Sequence, residues 1–474
     1  MAWKPPIPAA LWAKIPADAQ AALLVVCQQY EQRLADLQRQ VDDLRVQLGQ
    51  NSRNSSRPPS SNPPGLRPAL PRPPSGRKRG GQPDHPLQQR AFLEPTQSPI
   101  VLRPQHCRGC GRMLRGTDPE PLRHQVLELP PLQPEVTDYY LHRLGCPECG
   151  VTTCATLPPG VPSGQYGPRL QATLAMLSGA YRLSKRMIET LCADLLGVPI
   201  CAGQVCKLEA RTADATELVV APLRDYIRTR DVLIDETGWR QNAQRGWLWA
   251  VVTTLVTVFH VAAKRSGKVA RQLLGPGYRH VASTDRYNAY HWLPRRQRQV
   301  CWAHLQRDFQ AMVDRGDGRH KLGEELLCCA EELFHWWHRV RDGTLARSTF
   351  RQYMAELRPH VRRTLQRGAA SGCAKTAGVC QEILKLEPCL WTFVRVEGIE
   401  PTNNGVERAL RHAVQWRKMS YGSQGESGGR FVSNILTVVA TCRQQGRNVL
   451  EFLTACCRAH LQASPAPSLI PLST

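Results

Sequence analysis

The sequence has no apolar run long enough to span a bilayer, and its N-terminus, MAWKPPIPAALWAK, lacks the form of a signal peptide. Together these two absences predict a soluble cytoplasmic protein. Acidic residues are also scarce, because 39 Asp and Glu stand against 62 Lys and Arg, which leaves a net charge of +23. This balance favours a polyanionic partner, with nucleic acid as the first candidate and an acidic membrane surface as the second.

The 18 cysteines do not indicate a disulfide scaffold, because the chain is long and carries no secretion signal. Most of them, such as Cys192, Cys328 and Cys442, lie in apolar helical contexts, where a reduced cysteine acts as a small core residue. A chain of 474 residues is too long for one ordinary core, so we expect several domains.

Residues 1–50 contain a heptad pattern. Its a and d positions alternate four and three residues apart and are Leu23, Cys27, Tyr30, Leu34, Leu37, Val41, Leu44 and Leu48. This seam of about three and a half heptads predicts a coiled coil and a homo-oligomer. The alternative is an amphipathic helix packed on its own protein, which Cys27 and Tyr30 in the seam keep open.

Residues 51–104 lose this periodicity and are dominated by serine, asparagine and proline. Proline removes backbone donors and polar residues offer no burial, so the segment is expected to be a disordered linker. Its basic residues include Arg77, Lys78 and Arg79, which could follow a phosphate backbone without reading sequence. The alternative is a solvated spacer with nothing bound.

Residues 105–158 contain two CxxC pairs, Cys107 with Cys110 and Cys146 with Cys149, each followed by glycine. Each pair is expected to bend into a tight knuckle, and four thiolates together would complete a structural Zn²⁺ site. The strand-like stretch from residue 124 to residue 146 is predicted to form a hairpin that carries the second knuckle. The alternative is that the four cysteines bind no metal. Cys154 is not expected to take part in the site.

Residues 165–228 have apolar positions at helical spacing. Ser184 is predicted to cap one helix, and Gly197-Val198-Pro199 to break it before the next. A helix, a short turn and a second helix have the shape of a helix-turn-helix, in which Lys185 and Arg186 could meet phosphates. A plain helical bundle is the alternative, and the pattern does not choose between the two.

Residues 229–318 have the pattern of a sheet. DVLIDETGWR is typical of a buried strand that ends at Asp235, and the valine- and threonine-rich stretch after it is typical of two more strands. YRHVASTDRYNAY is typical of a strand that ends near Asp285. A helical insertion, 319–396, interrupts this core, which resumes with helices at 397–460 before a tail at 461–474. The pattern predicts the α/β class, with a mixed sheet surrounded by helices.

Three carboxylates are the candidate catalytic residues: Asp235, Asp285 and Glu407. The two aspartates follow apolar β-branched runs, and Glu407 falls in the first turn of a helix that Asn404 is expected to cap. Carboxylates suit Mg²⁺ or Mn²⁺, and two such ions about 3.5–4 Å apart can activate a water or a 3′-hydroxyl. We expect Asp235 to hold both ions, with Asp285 on one and Glu407 on the other.

Three further carboxylates compete for these roles: Glu236, Asp308 and Glu400. Strand alternation should turn Glu236 to the opposite face of the sheet. Four basic residues surround the glutamate of the triad: Arg408, Arg411, Arg417 and Lys418. They predict the positive surround that a phosphodiester substrate requires, and the alternative is a solvated basic helix.

The motifs DETGWR, TDRYNAY, CWAHLQRDF and NNGVERALRHAVQWRKMSYGS resemble the core motifs of insertion sequence 66 family transposases. The resemblance extends over nearly the whole chain. NSRNSSRPPSSN is similar to that family's polar linker after a leucine-zipper-like helix, GRKRGGQPDHP to its basic glycine-rich element, and the CxxC pairs to its zinc-binding domain.

The resemblance implies a ribonuclease-H-like fold and a DDE triad that maps onto Asp235, Asp285 and Glu407. It also implies recognition of terminal inverted repeats, cleavage of the element's ends and strand transfer into target DNA, with accessory proteins from the same element. DNA is then the partner, and a membrane is not. HLQRDF, whose His304 is a candidate DNA contact, departs slightly from the family's usual basic pair.

Two other functions compete with a transposase. A metal-dependent nuclease or junction resolvase would cleave without strand transfer, but it gives no reason for the N-terminal helix and the cysteine module. A zinc-containing DNA-binding protein without catalysis would leave the triad, its basic surround and the insertion as coincidences.

Overall fold

The computed structural model describes residues 8–55, 90–315 and 320–471. Arg77, Lys78 and Arg79, with most of the expected linker, lie outside the described residues. Within the described ranges, no helix combines the length and the apolar character that a membrane crossing needs.

Two helices open the described chain, α1 (Ala9–Trp12) and α2 (Ala17–Leu48). The apolar side chains along the heptad seam of α2 are exposed, and Leu34 and Leu44 keep 64% and 57% of their surface accessible. This exposure does not fit the alternative in which α2 packs on its own protein. The coiled coil and the homo-oligomer stay predictions.

The second CxxC pair lies in a small hairpin. Strands β1 (Arg143–Gly145) and β2 (Thr152–Cys154) are antiparallel and flank it. The prediction was too long, because the rest of the strand-like stretch 124–146 carries no strand. Prolines at 130, 131 and 134 explain the difference, since proline cannot donate to a strand ladder.

Three helices follow: α3 (Pro168–Gly179), α4 (Lys185–Leu196) and α5 (Ala202–Ile227). Ser184 caps α4 by accepting a hydrogen bond from the backbone N–H of Met187 at 3.2 Å, and Gly197 ends it in the left-handed conformation. Eleven of the 26 residues of α5 are buried, and its second half belongs to the main core beneath the sheet. The opposite face of α5 is exposed, so the choice between a helical bundle and a helix-turn-helix stays open.

A five-stranded mixed sheet forms the centre of the molecule. Its strands are β3 (Val232–Gln241), β4 (Gln244–Val252), β5 (Thr257–Ala262), β6 (Ala282–Thr284) and β7 (Arg298–Val300). The order is β5-β4-β3-β6-β7, with β3, β4 and β5 antiparallel and β6 and β7 parallel to β3. The protein is therefore of the mixed α/β class, which is consistent with the expected ribonuclease-H-like fold.

The tight turn between β3 and β4 fixes the register of this hairpin. Gln241 pairs with Gln244, so only Asn242 and Ala243 form the loop, with φ of 51° and 58°. Two positive φ angles are typical of the turn type whose twist matches that of the flanking strands.

Further helices follow β5 along the chain. They begin with α6 (Gly267–Leu274) and α7 (Trp302–Asp314), and the stretch predicted as an insertion contains α8 (His320–Arg341), α9 (Arg347–Ala369), α10 (Ala374–Lys385), α11 (Glu387–Leu390) and α12 (Thr392–Arg395). This stretch shares a hydrophobic core with β7 and α7, in which Trp337, Phe350 and Phe393 pack edge to face or tilted against one another. The last three helices are α13 (Asn404–Ser420), α14 (Glu426–Gln444) and α15 (Val449–Leu461).

Helix α14 covers the open edge of the sheet at β5. Three hydroxyls, one per turn of the helix, accept the edge N–H groups: Ser433 from Val261 at 3.0 Å, Thr437 from Phe259 at 2.9 Å and Thr441 from Thr257 at 3.2 Å. A covered edge cannot pair with another chain, so α14 both satisfies the backbone donors and closes the sheet on this side.

Candidate active site

Asp235 and Asp285 lie side by side on neighbouring parallel strands. β3 pairs with β6 so that Leu233 is level with Ser283. Extending this register by two residues brings Asp235 level with Asp285, where β6 has just ended. The separation of the two aspartates in sequence is therefore the offset between the strands. The prediction that the first strand ends at Asp235 is wrong, because β3 pairs with β4 as far as Gln241.

Glu236 joins the two aspartates, contrary to the expectation that alternation would turn it away. One carboxylate oxygen each from Asp235, Glu236 and Asp285 lies within 4.8 Å of the other two, and within the described residues this is the one such group of three or more possible metal ligands. Alternation sets the direction of the Cβ atom, but the longer side chain of Glu236 is drawn toward the two aspartates by partners from distant parts of the chain.

Those partners are Tyr290 and Arg265. The hydroxyl of Tyr290 donates to Glu236 Oε2 at 2.6 Å, and the guanidinium of Arg265 pairs with Oε1. Burial raises the pKa of Glu236, and the hydrogen bond from Tyr290 and the charge of Arg265 oppose that rise. Arg265 also approaches Asp285 Oδ2 to 3.6 Å and stacks over the Tyr287 ring at 3.7 Å.

Asp235 has the least compensated charge of the group. Its Oδ1 accepts the backbone N–H of Glu236 at 2.9 Å. Burial raises the pKa of Asp235 well above its ordinary value, and the negative charges of Glu236, Asp285 and Glu407 raise it further. Like charges held this close favour binding of a cation, and hard carboxylate oxygens suit a divalent one.

Asp285 is held by its own turn and by a buried arginine. The backbone N–H of Tyr287 donates to Asp285 Oδ1 at 2.9 Å. Arg298, only 1% exposed, donates to the Asp285 carbonyl and to Thr284 Oγ1, both at 2.9 Å. The sequence offered no signal for Arg298 or Arg265, since each is one basic residue among many in a basic chain.

Glu407 faces the group from α13 but is not part of it. Its carboxylate oxygens lie 3.6 Å from His304 Nε2 and 3.6 Å from an Arg307 nitrogen, both on α7. Glu407 Oε1 and His304 Nδ1 are buried without a hydrogen-bond partner among the described residues. Burial and the charge of Arg307 lower the pKa of His304, so the ring is neutral near pH 7. His304 therefore lies beside a triad residue.

The start of α13 is anchored to β3 by Asn403. The side-chain amide of Asn403 donates to the Ile234 carbonyl at 3.2 Å, one residue before Asp235, and its backbone N–H contacts Cys301 Sγ at 3.1 Å. The prediction that Asn404 caps the helix is wrong, because Asn403 holds the cap position and uses its side chain on β3 instead. A side chain at Gly405 would collide with Leu233, so glycine permits this close approach.

The two remaining rival carboxylates lie apart from the group. Asp308 is paired with Arg286, whose nitrogens are 2.7 and 2.9 Å from Oδ2. Glu400 lines a separate cleft of about 230 Å³ beside Arg408.

The predicted DNA-contacting residues differ in how far they are exposed. Arg186, Arg408, Arg411 and Lys418 are exposed. Arg417 instead donates to the Gly238 carbonyl and to Thr237 Oγ1, which ties α13 to β3. Lys185 also turns inward, where it pairs with Glu209 and donates to Ser178 Oγ at 3.0 Å.

Both CxxC pairs fold into knuckles of the same geometry. In the first, the N–H of Cys107 donates to the Arg112 carbonyl and the N–H of Gly111 to the Cys107 carbonyl, both at 2.9 Å. Backbone N–H groups of Cys110 and Gly109 lower the pKa of Cys107, which favours the thiolate that binds metal.

The second knuckle repeats this pattern with Cys146. Its N–H donates to Val151, the N–H of Gly150 donates back to Cys146, and hydrogen bonds from Cys149 and Glu148 lower the pKa of Cys146. In the described residues, no group of three or more ligand atoms within 4.8 Å of one another includes a cysteine, so the four-thiolate zinc site stays a prediction.

Carboxylates that converge where β6 ends beside β3 give this mixed α/β protein a candidate divalent-metal centre. The chain belongs to the IS66 family of transposases, since the family model described as "Transposase IS66 family" matches residues 163–431. This confirms the resemblance drawn from the motifs. The matched region contains the sheet and all three predicted catalytic carboxylates.

Two further similarities say less about activity. A second model, described as a "Family of unknown function (DUF6444)", matches residues 8–91. "Uncharacterized protein y4qI" of Sinorhizobium fredii (strain NBRC 101917 / NGR234) is 27% identical over 284 residues, which cover 52% of this chain and 52% of that protein. The match thus spans about half the length of that relative.

Proposed function

We propose that this protein is a DNA transposase that binds the terminal inverted repeats of an insertion sequence, cleaves its ends and joins them to target DNA. The observation that carries the proposal is the convergence of Asp235 and Asp285 on neighbouring parallel strands of an IS66-family chain. A structural role alone gives no reason to hold repelling carboxylates together at a strand end.

Asp235, Asp285 and Glu407 would hold the catalytic ions. Two bound Mg²⁺ or Mn²⁺ ions would activate a water or a 3′-hydroxyl and stabilise the leaving oxygen of the phosphodiester. Glu407 makes no hydrogen bond through its buried Oε1, so this oxygen is free to accept a cation while Arg307 lies 3.6 Å from Oε2. Arg265 and Tyr290 already occupy Glu236, which supports a positioning role for that residue rather than direct ligation.

The positive charge of the chain and the exposed heptad seam of α2 support two further parts of the proposal, DNA binding and self-association. Arg408 and Arg411 are exposed on the helix that carries Glu407, where they would meet the phosphates of the DNA. The exposed seam of α2 would pair with a second copy of the chain. We further propose that the protein acts in the cytoplasm and works with accessory proteins from the same element.

The test is a joining assay with purified full-length protein and DNA carrying the ends of the element that encodes it. In Mg²⁺ we expect strand cleavage at those ends and joining to a plasmid, and neither in EDTA. Cleavage without joining would favour the nuclease, and binding without either reaction would favour the non-catalytic DNA-binding protein.

The zinc proposal gives a separate prediction. Purified protein should contain about one zinc per chain, and Cys107→Ser should lose it because three thiolates hold a structural ion far less well than four. Metal analysis by mass spectrometry measures this, and Cys154→Ser is the matched control, since Cys154 is exposed in β2 outside both knuckles. Absence of zinc from the wild type, or full content in Cys107→Ser, would contradict the proposal.

A further inference from the structure

A second cleft opens on the sheet next to the cluster of Asp235, Glu236 and Asp285. It has a volume of about 550 Å³ and is lined by Arg245, Trp247, Ala263, Lys264, Arg265, Ser266 and Tyr287. Arg265 is common to both places, because it also contacts Glu236 and Asp285. A molecule in this cleft would therefore lie directly beside the proposed metal site.

Trp247 provides an aromatic surface in this cleft. Its neighbours across the strands are Gly238 on β3 and Ala262 on β5, so small residues flank the indole on both sides. Trp249, two residues further along the same face, is fully buried and packs edge to face on Tyr290. Trp247 is only half-buried, so its large ring is not enclosed as a core residue would be.

The cleft also carries two positive charges, on Arg245 and Lys264, that the described residues do not neutralise. The guanidinium groups of Arg245 and of the ion-paired Arg265 lie over the Trp247 ring, 5.1 and 5.2 Å from its centroid. Arg245 and Lys264 are exposed, and neither forms an ion pair with any residue in the described part of the chain. An aromatic surface beside unpaired cations matches the two chemical parts of a nucleotide, a base with a π face and a phosphate.

We propose that this cleft binds one unpaired nucleotide of a DNA strand, with its base stacked on Trp247 and its phosphates near Arg245 and Lys264. In a duplex both faces of a base are covered by its neighbours, so only an unpaired base can stack on the ring. Stacking on an aromatic ring accepts any base, so the contact would not read sequence. That the strand is a transposon end rests on the proposed function; the nucleotide contact itself does not.

The experiment measures the binding of a fluorescently labelled oligothymidine and of a duplex of equal length to the full-length protein in EDTA. Trp247→Ala should weaken single-strand binding about tenfold, equivalent to roughly 1.4 kcal/mol, and leave duplex binding unchanged within about twofold. Trp247→Phe should retain most of the affinity. The matched control is Trp336→Ala, because Trp336 is also half-buried with an arginine, Arg339, 5.6 Å from its ring.

A second readout guards against misfolding of the alanine variant. Bound oligothymidine should quench part of the tryptophan fluorescence of the wild type, and Trp247→Phe should lose that part while it still binds. Equal weakening of single-strand and duplex binding by Trp247→Ala, or unchanged quenching in Trp247→Phe, would overturn the proposal. The binding assay contains no metal, so its outcome is independent of the joining reaction. Nucleotide binding by Trp247 would still be supported if joining failed, and it would still be refuted if joining succeeded.

Discussion

Asp235→Asn should abolish Mg²⁺-dependent cleavage and joining, with a loss of at least about a thousandfold, or roughly 4 kcal/mol of transition-state stabilisation. Asp235 belongs to the cluster of Asp235, Glu236 and Asp285, and asparagine keeps its shape while it removes the charge proposed to hold a divalent ion. Binding of the same DNA, measured by fluorescence anisotropy, should be preserved. Asp225→Asn is the matched control, because it removes an exposed aspartate on α5 that lies outside the site. Wild-type joining by Asp235→Asn would refute the assignment.

The same variant should be more stable than the wild type in the absence of metal. Because the folded-state pKa of Asp235 is raised, the folded protein binds this proton more tightly than the unfolded chain does. The stability that the protonated carboxyl contributes is present below pH 3.8 and is lost as the pH rises toward the raised pKa. The melting temperature of Asp235→Asn should therefore exceed that of the wild type by a few degrees at neutral pH, and the difference should shrink near pH 4. Added Mg²⁺ should raise the melting temperature of the wild type only.

Glu407→Gln should also abolish joining, whereas Glu236→Gln should reduce it by about tenfold or less. The reason is the difference in their surroundings. Glu407 has no hydrogen bond to its buried Oε1, while Glu236 already accepts from Tyr290 and pairs with Arg265. Glutamine at position 236 can keep the hydrogen bond from Tyr290 but loses the ion pair with Arg265, so we expect a partial loss of activity.

Binding of Mn²⁺, measured by calorimetry, separates ligation from positioning in this pair of variants. Glu407→Gln should weaken or lose one of two binding events, and Glu236→Gln should retain both. The opposite outcome, with joining and one ion lost in Glu236→Gln and kept in Glu407→Gln, would make Glu236 the third ligand and would remove Glu407 from the triad.

Much of the site could be predicted because its signals are local. Asp235 and Asp285 follow apolar runs, and these runs form neighbouring parallel strands whose register brings the two aspartates level with each other. Ser184 caps α4 as predicted, because a capping side chain bonds to a backbone only three residues away. The motif resemblance was specific for the same reason, since each motif is a short stretch of adjacent residues.

The errors came where partners lie far apart in sequence. Glu236 was expected to turn away, but Arg265 and Tyr290, 29 and 54 residues later, hold its carboxylate beside the aspartates. Asn404 was expected to cap α13, but Asn403 holds that position and its side chain bonds to β3, 169 residues earlier. Lys185 was expected at the surface, but Glu209 on the following helix draws it inward.

The sequence by itself determined the α/β class, the two aspartates, the family and the cysteine knuckles, because periodicity, strand ends and short motifs depend on residues close together in the chain. Only the tertiary structure decided which charges surround those aspartates, that Arg298 clamps the turn of Asp285, and that Trp247 lies open between Gly238 and Ala262. The physical reason is that the course of a long side chain and the space around a ring depend on neighbours that folding alone brings together.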